Sequence, residues 1–126
     1  MHELGLTEDI LATALETAQR AGAQAISRLV LVLSSASHID PEVVRTHFAS
    51  ISRGTLAEGA ELVFRTRTIE QACMYCGRTF VVDSELACPQ CGTPVDPHML
   101  GGEMTLESIE VVTPGETPGA HPVQER

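Results

Sequence analysis

The chain contains no Trp and no Lys, and only one Tyr and three Phe among its 126 residues. Large aromatic side chains therefore cannot dominate its hydrophobic core, and a chain this short buries only about two-thirds of the surface that its unfolded state exposes. Eight Arg stand against 17 Asp and Glu, which gives a formal net charge of −9. That balance disfavours nucleic acid and anionic membrane surfaces as partners, because both require clustered positive charge.

Long apolar runs are also missing. The longest, Leu29–Leu33, has the length of a strand and is far below the roughly 20 residues of a membrane-spanning helix. The N-terminus is acidic and lacks the positively charged start of a signal peptide. We therefore expect a cytoplasmic protein, and in that compartment its four cysteines are more typical of metal ligands than of disulfides.

Hydrophobic periodicity predicts an alternation of helices and strands. Thr7 is a candidate N-cap for a first helix that ends near Gly22, and the Asp40-Pro41 pair is typical of the start of a second helix. The predicted strands are 25–33, 61–68 and 104–112, with a shorter strand at 78–83 inside the cysteine region. Residues 113–126 contain three Pro and two Gly, and we expect them to form a disordered tail.

The four cysteines form two pairs, Cys73-x2-Cys76 and Cys88-x2-Cys91. A two-residue spacer lets both sulfurs of a tight turn converge on one ion, and the Gly that follows each pair permits the positive φ that such a turn needs. Four thiolates at this spacing favour a closed, structural zinc site. A disulfide pair and an iron–sulfur site are the alternatives, and the second usually shows another spacing. A closed site of this kind stabilises a small fold and is not itself catalytic.

The first three residues, Met1-His2-Glu3, form a second candidate metal site. The large residue at position 2 predicts that the initiator Met is retained, and its α-amine would be partly deprotonated at neutral pH. This amine, the backbone nitrogen and ring of His2, and the Glu3 carboxylate are close enough to chelate one ion. Mixed nitrogen and oxygen ligands suit Ni(II) or Cu(II). Taken alone, the same residues also fit an ordinary solvated and frayed terminus.

Several motifs together resemble one family. The opening Met1-His2-Glu3-Leu4, the central segment 54–62, the double CxxC and the segments 102–104 and 108–111 are similar to those of the HypA family of nickel metallochaperones for hydrogenase and urease maturation. Asp40-Pro41-Glu42 resembles the turn into that family's second helix. The resemblance spans residues 1–112. The chain departs from the common pattern at Ser34-Ser35-Ala36, where many members have Gly-Glu-Leu.

The resemblance implies that His2 binds Ni(II), with the Met1 amine and Glu3 as companions and Asp40 close to the site. It also implies an α+β fold in which two helices pack on a three-stranded sheet. Residues 1–68 and 104–112 would form this nickel-binding domain, residues 69–103 an inserted zinc ribbon held by Cys73, Cys76, Cys88 and Cys91, and residues 113–126 the tail. The expected partners are a HypB-type GTPase and either a hydrogenase large-subunit precursor or urease accessory proteins.

Two functions compete at this point. One is a non-enzymatic metal-delivery protein, with transported Ni(II) at the free N-terminus and structural Zn(II) in the ribbon. The other is a zinc-ribbon interaction module without metal transfer. An enzyme is a weaker third interpretation, because the sequence contains no Ser/His/Asp, Cys/His or Gly-rich phosphate-binding constellation. Nickel binding by the intact N-terminus distinguishes the first two.

Overall fold

The computed structural model describes residues 2–114 and 119–123 of the chain. Its elements, in chain order, are α1 (His2–Arg20), β1 (Ala25–Ser34), α2 (Pro41–Ile51), β2 (Glu61–Arg67), β3 (Glu70–Ala72), β4 (Thr79–Val81), a 3-10 turn (Pro97–Met99), β5 (Met104–Val112) and β6 (Gly119–Pro122). One sheet has the strand order β2-β1-β5-β6, and β3 and β4 form a separate hairpin. The expected α+β fold is confirmed, with one strand more in the main sheet than expected.

The start of α2 agrees with the sequence prediction, whereas the start of α1 does not. Asp40 caps α2 as predicted, because its Oδ1 accepts a hydrogen bond of 2.9 Å from the amide of Glu42. The prediction that Thr7 caps α1 is wrong, since the helix already begins at His2. Thr7 lies inside the helix, where its Oγ1 donates to the Glu3 carbonyl at 2.6 Å. A hydroxyl in a helix interior commonly makes this bond to the carbonyl four residues earlier.

The central strand β1 connects both halves of the sheet. It pairs in parallel with β2, to which it is linked through α2, and antiparallel with β5. A register shift between the pairs Val30–Ser108 and Leu31–Leu106 leaves Glu107 as an extra residue in β5. The shift changes the alternation of side chains, so that Met104 and Leu106 before it and Ile109 and Val111 after it are all buried. This bulge explains why neither alternating set of residues in 104–112 is purely apolar.

The core of the main sheet is formed by side chains from both helices and from β1, β2 and β5. Its most deeply buried members include Ala14, Leu29, Val44 and Ile109. Leu11, Ala14 and Ala18 lie on the predicted face of α1, and α2 contributes the buried side chains of Val44 and Phe48. Among the residues that the structure describes, no helix combines the length and apolar character needed to cross a bilayer.

The expectation of a disordered tail over 113–126 is wrong at Gly119–Pro122. These residues form β6, which pairs antiparallel with β5 from Val111 to Ser108. Val123 follows, donates its amide to the Glu107 carbonyl at 3.1 Å and packs against the main core. A sheet edge provides unpaired backbone groups, so even a segment of low strand propensity gains hydrogen bonds there. Residues 115–118 and 124–126, which the same expectation included, lie outside the described part of the chain.

Candidate metal centre

The four cysteines lie at the tips of two similar turns, which we call the first knuckle (residues 73–78) and the second knuckle (residues 88–93). In the first, the amide of Cys73 donates to the Arg78 carbonyl at 2.8 Å and Gly77 donates to the Cys73 carbonyl at 2.9 Å. The second repeats this pattern. The amide of Cys88 donates to the Thr93 carbonyl at 2.9 Å, and that of Gly92 donates to the Cys88 carbonyl at 2.9 Å. The two knuckles therefore present their sulfurs in equivalent ways.

Glycine follows each cysteine pair for a conformational reason. Gly77 and Gly92 have φ values of 79° and 78°. Side chains other than hydrogen are disfavoured in this left-handed region, so the sequence meets the backbone requirement of both turns. The prediction that these two glycines permit the knuckle geometry is confirmed.

The geometry of the sulfurs fits one tetrahedral ion. The Sγ atoms of Cys73 and Cys91 lie 3.6 Å apart, those of Cys76 and Cys88 lie 3.7 Å apart, and all four fall within 4.8 Å of one another. A tetrahedral zinc–thiolate site with bonds of about 2.3 Å has sulfurs about 3.8 Å apart, whereas a disulfide joins them at about 2.0 Å. All four cysteines are free thiols. The arrangement therefore suits a shared ion and excludes a disulfide pair in this structure.

Backbone amides of the first knuckle surround the first thiol. Those of Tyr75 and Cys76 donate to Cys73 Sγ at 3.4 and 3.5 Å. The Cys76 amide contributes most to lowering the pKa of the Cys73 thiol to about 6, followed by the Tyr75 amide. Because hydrogen bonds to sulfur favour the thiolate, this ligand is prepared in its metal-binding form.

The other thiols differ in their environments. The Cys91 amide is the main cause of a lowered pKa at Cys88. At Cys76 the amide of Arg78 lowers the pKa, but burial and the neighbouring thiols of Cys88 and Cys73 outweigh it and raise the pKa to about 11. The first cysteine of each pair is buried and the second is exposed. Each knuckle thus combines one buried cysteine, whose thiol has a lowered pKa, with a second cysteine that is exposed as a residue although its sulfur contacts the other sulfurs.

A threonine that the sequence interpretation missed contacts the fourth ligand. Thr93 Oγ1 lies 3.0 Å from Cys91 Sγ. Hydrogen-bonding partners of this kind orient metal ligands and tune their basicity. A hydroxyl two residues after the last cysteine of a knuckle is the signal by which Thr93 could have been found.

A small apolar cluster supports the knuckles. It is formed by Phe80, Val82 and Val95 together with the buried ligands Cys73 and Cys88, and it also includes Ala36 from the loop after β1. We refer to residues 69–103 as the four-cysteine module and to the remaining helices and strands as the α+β unit. The participation of Ala36 was not predicted, because only the three-dimensional structure brings that loop to the module.

The residues of the predicted N-terminal site are described only in part. Met1 and the side chain of His2 lie outside the described part of the structure. Glu3 belongs to the first turn of α1, and Asp40 is exposed at the start of α2. Leu4 of α1 and Glu42 of α2 line one shallow cavity of about 460 Å³. The beginnings of the two helices therefore lie on the same side of the unit.

These features define a small α+β protein that carries a zinc-ribbon-like four-cysteine module. A family model described as hydrogenase/urease nickel incorporation, metallochaperone, hypA matches residues 1–111. The chain therefore belongs to the HypA family.

Individual relatives and solved structures agree with this assignment. A hydrogenase maturation factor HypA of Acidithiobacillus ferrooxidans is 35% identical over 112 residues, which cover 88% of this chain and 99% of the relative. Its counterpart in Dehalococcoides mccartyi is 38% identical, covering 88% of this chain and 94% of the relative. The solution structure of the Ni metallochaperone HypA from Helicobacter pylori has a TM-score of 0.60 at 21% identity, covering 89% of this chain and 98% of that one. At this identity, the structural likeness supports the α+β fold of this chain and nothing beyond it.

Proposed function

We propose that this protein binds Ni(II) at its free N-terminus and delivers it during the maturation of a nickel enzyme. The ligands in this proposal are the Met1 amine, His2 and Glu3, with the Asp40 carboxylate close to the site. The observation that carries the proposal is the family match, which begins at residue 1 and includes all of these positions. The role is that of a carrier, and we assign it no catalytic residue.

The described geometry supports the proximity of Asp40. Leu4 lies one residue after Glu3, and Glu42 lies two residues after Asp40, and both line the same cavity. Asp40 Oδ1 already accepts the amide of Glu42, so the other carboxylate oxygen is the candidate for contact with an ion or with one of its bound waters. Carboxylates here also counter the positive end of the α1 dipole, which by itself disfavours a cation.

An exposed terminal site suits a carrier. An ion that is delivered must leave by ligand exchange, and ligands at a chain terminus are accessible to an acceptor. We propose a HypB-type GTPase as the partner and a hydrogenase large-subunit precursor, or urease accessory proteins, as the destination. The proposed setting is the cytoplasm, where clustered cysteines are more typical of metal ligands than of disulfides.

The four-cysteine module would hold Zn(II) as a resident structural ion. The donor set of four thiolates, the tetrahedral spacing of the sulfurs and the two closed knuckles all support zinc. Cys73, Cys76, Cys88 and Cys91 would occupy every position of a tetrahedral ion, so the module would contribute stability and would not exchange nickel. In this division, residues 1–68 and 104–112 form the nickel-binding domain and residues 69–103 the ribbon.

Titration of the untagged protein with Ni(II) tests the N-terminal site. We expect His2→Ala to abolish tight Ni(II) binding and to leave the bound zinc unchanged. His98→Ala is the matched control, since His98 is exposed in the four-cysteine module and is not a proposed ligand. Undiminished nickel affinity of His2→Ala, measured by calorimetry, contradicts the proposal.

A second arm of the experiment isolates the amine. A peptide tag placed before Met1 converts the amine to an amide and should weaken Ni(II) binding, whereas the same tag after Arg126 should not. Equal nickel affinities of the two tagged forms remove the amine from the ligand set, and His2→Ala then tests the His2 ring separately.

The alternative is an interaction module without metal transfer. The exposure of Met74 (98%) and Tyr75 (85%) at the tip of the first knuckle favours it, because large side chains left in solvent can serve as contacts for another protein. This alternative predicts no specific Ni(II) binding by the native N-terminus, so the same titration distinguishes the two functions.

A further inference from the structure

The β3–β4 hairpin continues by one residue pair at its open end. Ile69 and Val82 lie directly opposite each other, because the register pairs Glu70 with Val81, and the amide of Val82 donates to the Ile69 carbonyl at 2.8 Å. In an antiparallel ladder such a pair exchanges two hydrogen bonds. The partners of the second bond would be the Ile69 amide and the Val82 carbonyl.

A hydroxyl from the α+β unit occupies the place of that second bond. Ser35 Oγ accepts from the amide of Ile69 at 3.0 Å and donates to the carbonyl of Val82 at 2.7 Å. Among small side chains, a hydroxyl is suited to this position because it donates and accepts at once. The last pair of the hairpin is therefore closed through a residue that directly follows β1.

Ser35 is itself fixed to the main sheet. Its amide donates to the Arg67 carbonyl at 2.8 Å, which extends the parallel pairing of β1 with β2 by one bond beyond Ser34. The next residue, Ala36, is 6% exposed and packs in the apolar cluster that contains Cys73 and Cys88. One loop thus makes backbone contacts to the α+β unit and side-chain contacts to the four-cysteine module.

The exit of the module is held at the same place. Arg67 Nη2 donates to the Leu100 carbonyl at 3.2 Å, and the amide of Ser34 donates to the Glu103 carbonyl at 2.9 Å. The chain therefore enters and leaves the module beside Ser35. These contacts involve only the last residues of the module, before β5, and limit how far it can move away from the sheet. The β3–β4 hairpin itself is held by Ser35 and Ala36.

We propose that Ser35 is a positioning residue that fixes the orientation of the four-cysteine module relative to the α+β unit. Its hydroxyl joins the hairpin to the central strand, so that the knuckles and the exposed side chains of Met74 and Tyr75 keep one direction with respect to the sheet. A partner that contacts both units then meets them in a single arrangement. This proposal is independent of where nickel binds.

Cobalt in the cysteine site provides a direct readout of orientation. Co(II) bound by the four thiolates shifts the resonances of distant amides in a way that depends on their direction from the ion. In the full chain we expect measurable pseudocontact shifts, relative to the Zn(II)-loaded form of each variant, at Leu33 and Thr66, which lie at the end of β1 and β2 nearest the module. Ser35→Ala should reduce them, because a module that samples several orientations averages the shifts.

Two further variants separate orientation from general damage. Ser35→Thr keeps the hydroxyl and should retain the shifts of the parent protein. Ser37→Ala is the matched control in the same loop, since within the described part of the chain the hydrogen bond of Ser37 Oγ is a local one, accepted from the Ile39 amide at 2.9 Å. Shifts in Ser35→Ala that equal those of Ser37→Ala would overturn the proposal.

Hydrogen exchange tests the same contact, first in the parent protein and then in Ser35→Ala. The Ile69 amide should be protected to a similar degree as the Val82 amide, because both are donors of the closing pair. In Ser35→Ala the Ile69 amide should exchange roughly two- to tenfold faster, the effect of losing one hydrogen bond. An unprotected Ile69 amide in the parent protein overturns the proposal.

Discussion

Among the described residues, the core of the α+β unit contains sixteen buried residues, none of which is cysteine. The cluster that supports the knuckles contains six, of which two are cysteines and one, Ala36, comes from the loop after β1. The first core is large enough to be stabilised by burial of apolar side chains. The second is too small for that, and we propose that an ion shared by its four sulfurs supplies the missing stability. One short chain thus uses two sources of stability side by side, and each can be removed separately.

Loss of one sulfur should affect the module most strongly. We expect Cys73→Ser to lose its bound zinc on dialysis, because the complete ligand set of a small zinc fold is worth about 10–16 kcal/mol of binding free energy. Metal analysis gives the content, and amide exchange should show loss of protection in β3 and β4 with protection retained at Leu29. A variant that keeps both its zinc and its melting temperature contradicts a structural role for this site.

The converse experiment weakens the apolar core. Ile109 is 0% exposed at the centre of β5, and Ile109→Ala should lower the free energy of unfolding by about 2–5 kcal/mol. Denaturant titration measures the change, and the zinc content should not change. Val43→Ala is the matched control, because Val43 is 40% exposed and its truncation should cost less than about 0.5 kcal/mol. Equal losses in both variants would contradict the assignment of the core.

A smaller loss of zinc affinity is expected from a change at Thr93, which lies beside Cys91. Thr93→Val removes the hydroxyl next to Cys91 Sγ with little change in shape and should weaken zinc binding by roughly tenfold. Competition with a chelator measures the affinity. Thr79→Val, at an exposed position of β4 in the same module, is the control and should leave the affinity unchanged. Zinc affinity that is equal in the two variants removes Thr93 from the site.

Sequence reasoning was accurate where the determinants are local. The spacing of Cys73, Cys76, Cys88 and Cys91 located the metal centre, and the Asp40-Pro41 pair located the start of α2. An apolar run rich in β-branched residues also located β1, and partial alternation of apolar and polar residues located β2 and β5. In each case the residues that determine the structure are neighbours in the chain.

Sequence reasoning failed where residues that are distant in the chain determine the local structure. The bulge at Glu107 depends on the partner strand, and the hydroxyl of Ser35 has meaning only beside Ile69 and Val82. The helical start before Thr7 depends on packing, since Leu6 contacts the main core. For β6, a composition typical of a loose tail is overridden by the open edge of β5.

The position of β6 has a consequence for how such a chain can lengthen. The family match ends at residue 111, and β6 begins at Gly119, on the outer side of a strand that is already complete. A strand added there displaces no existing backbone pair, and Val123 just after it adds an apolar contact to the shared core. Pro122, which has no amide hydrogen to donate, then stands on the new border of the sheet and discourages the addition of yet another strand.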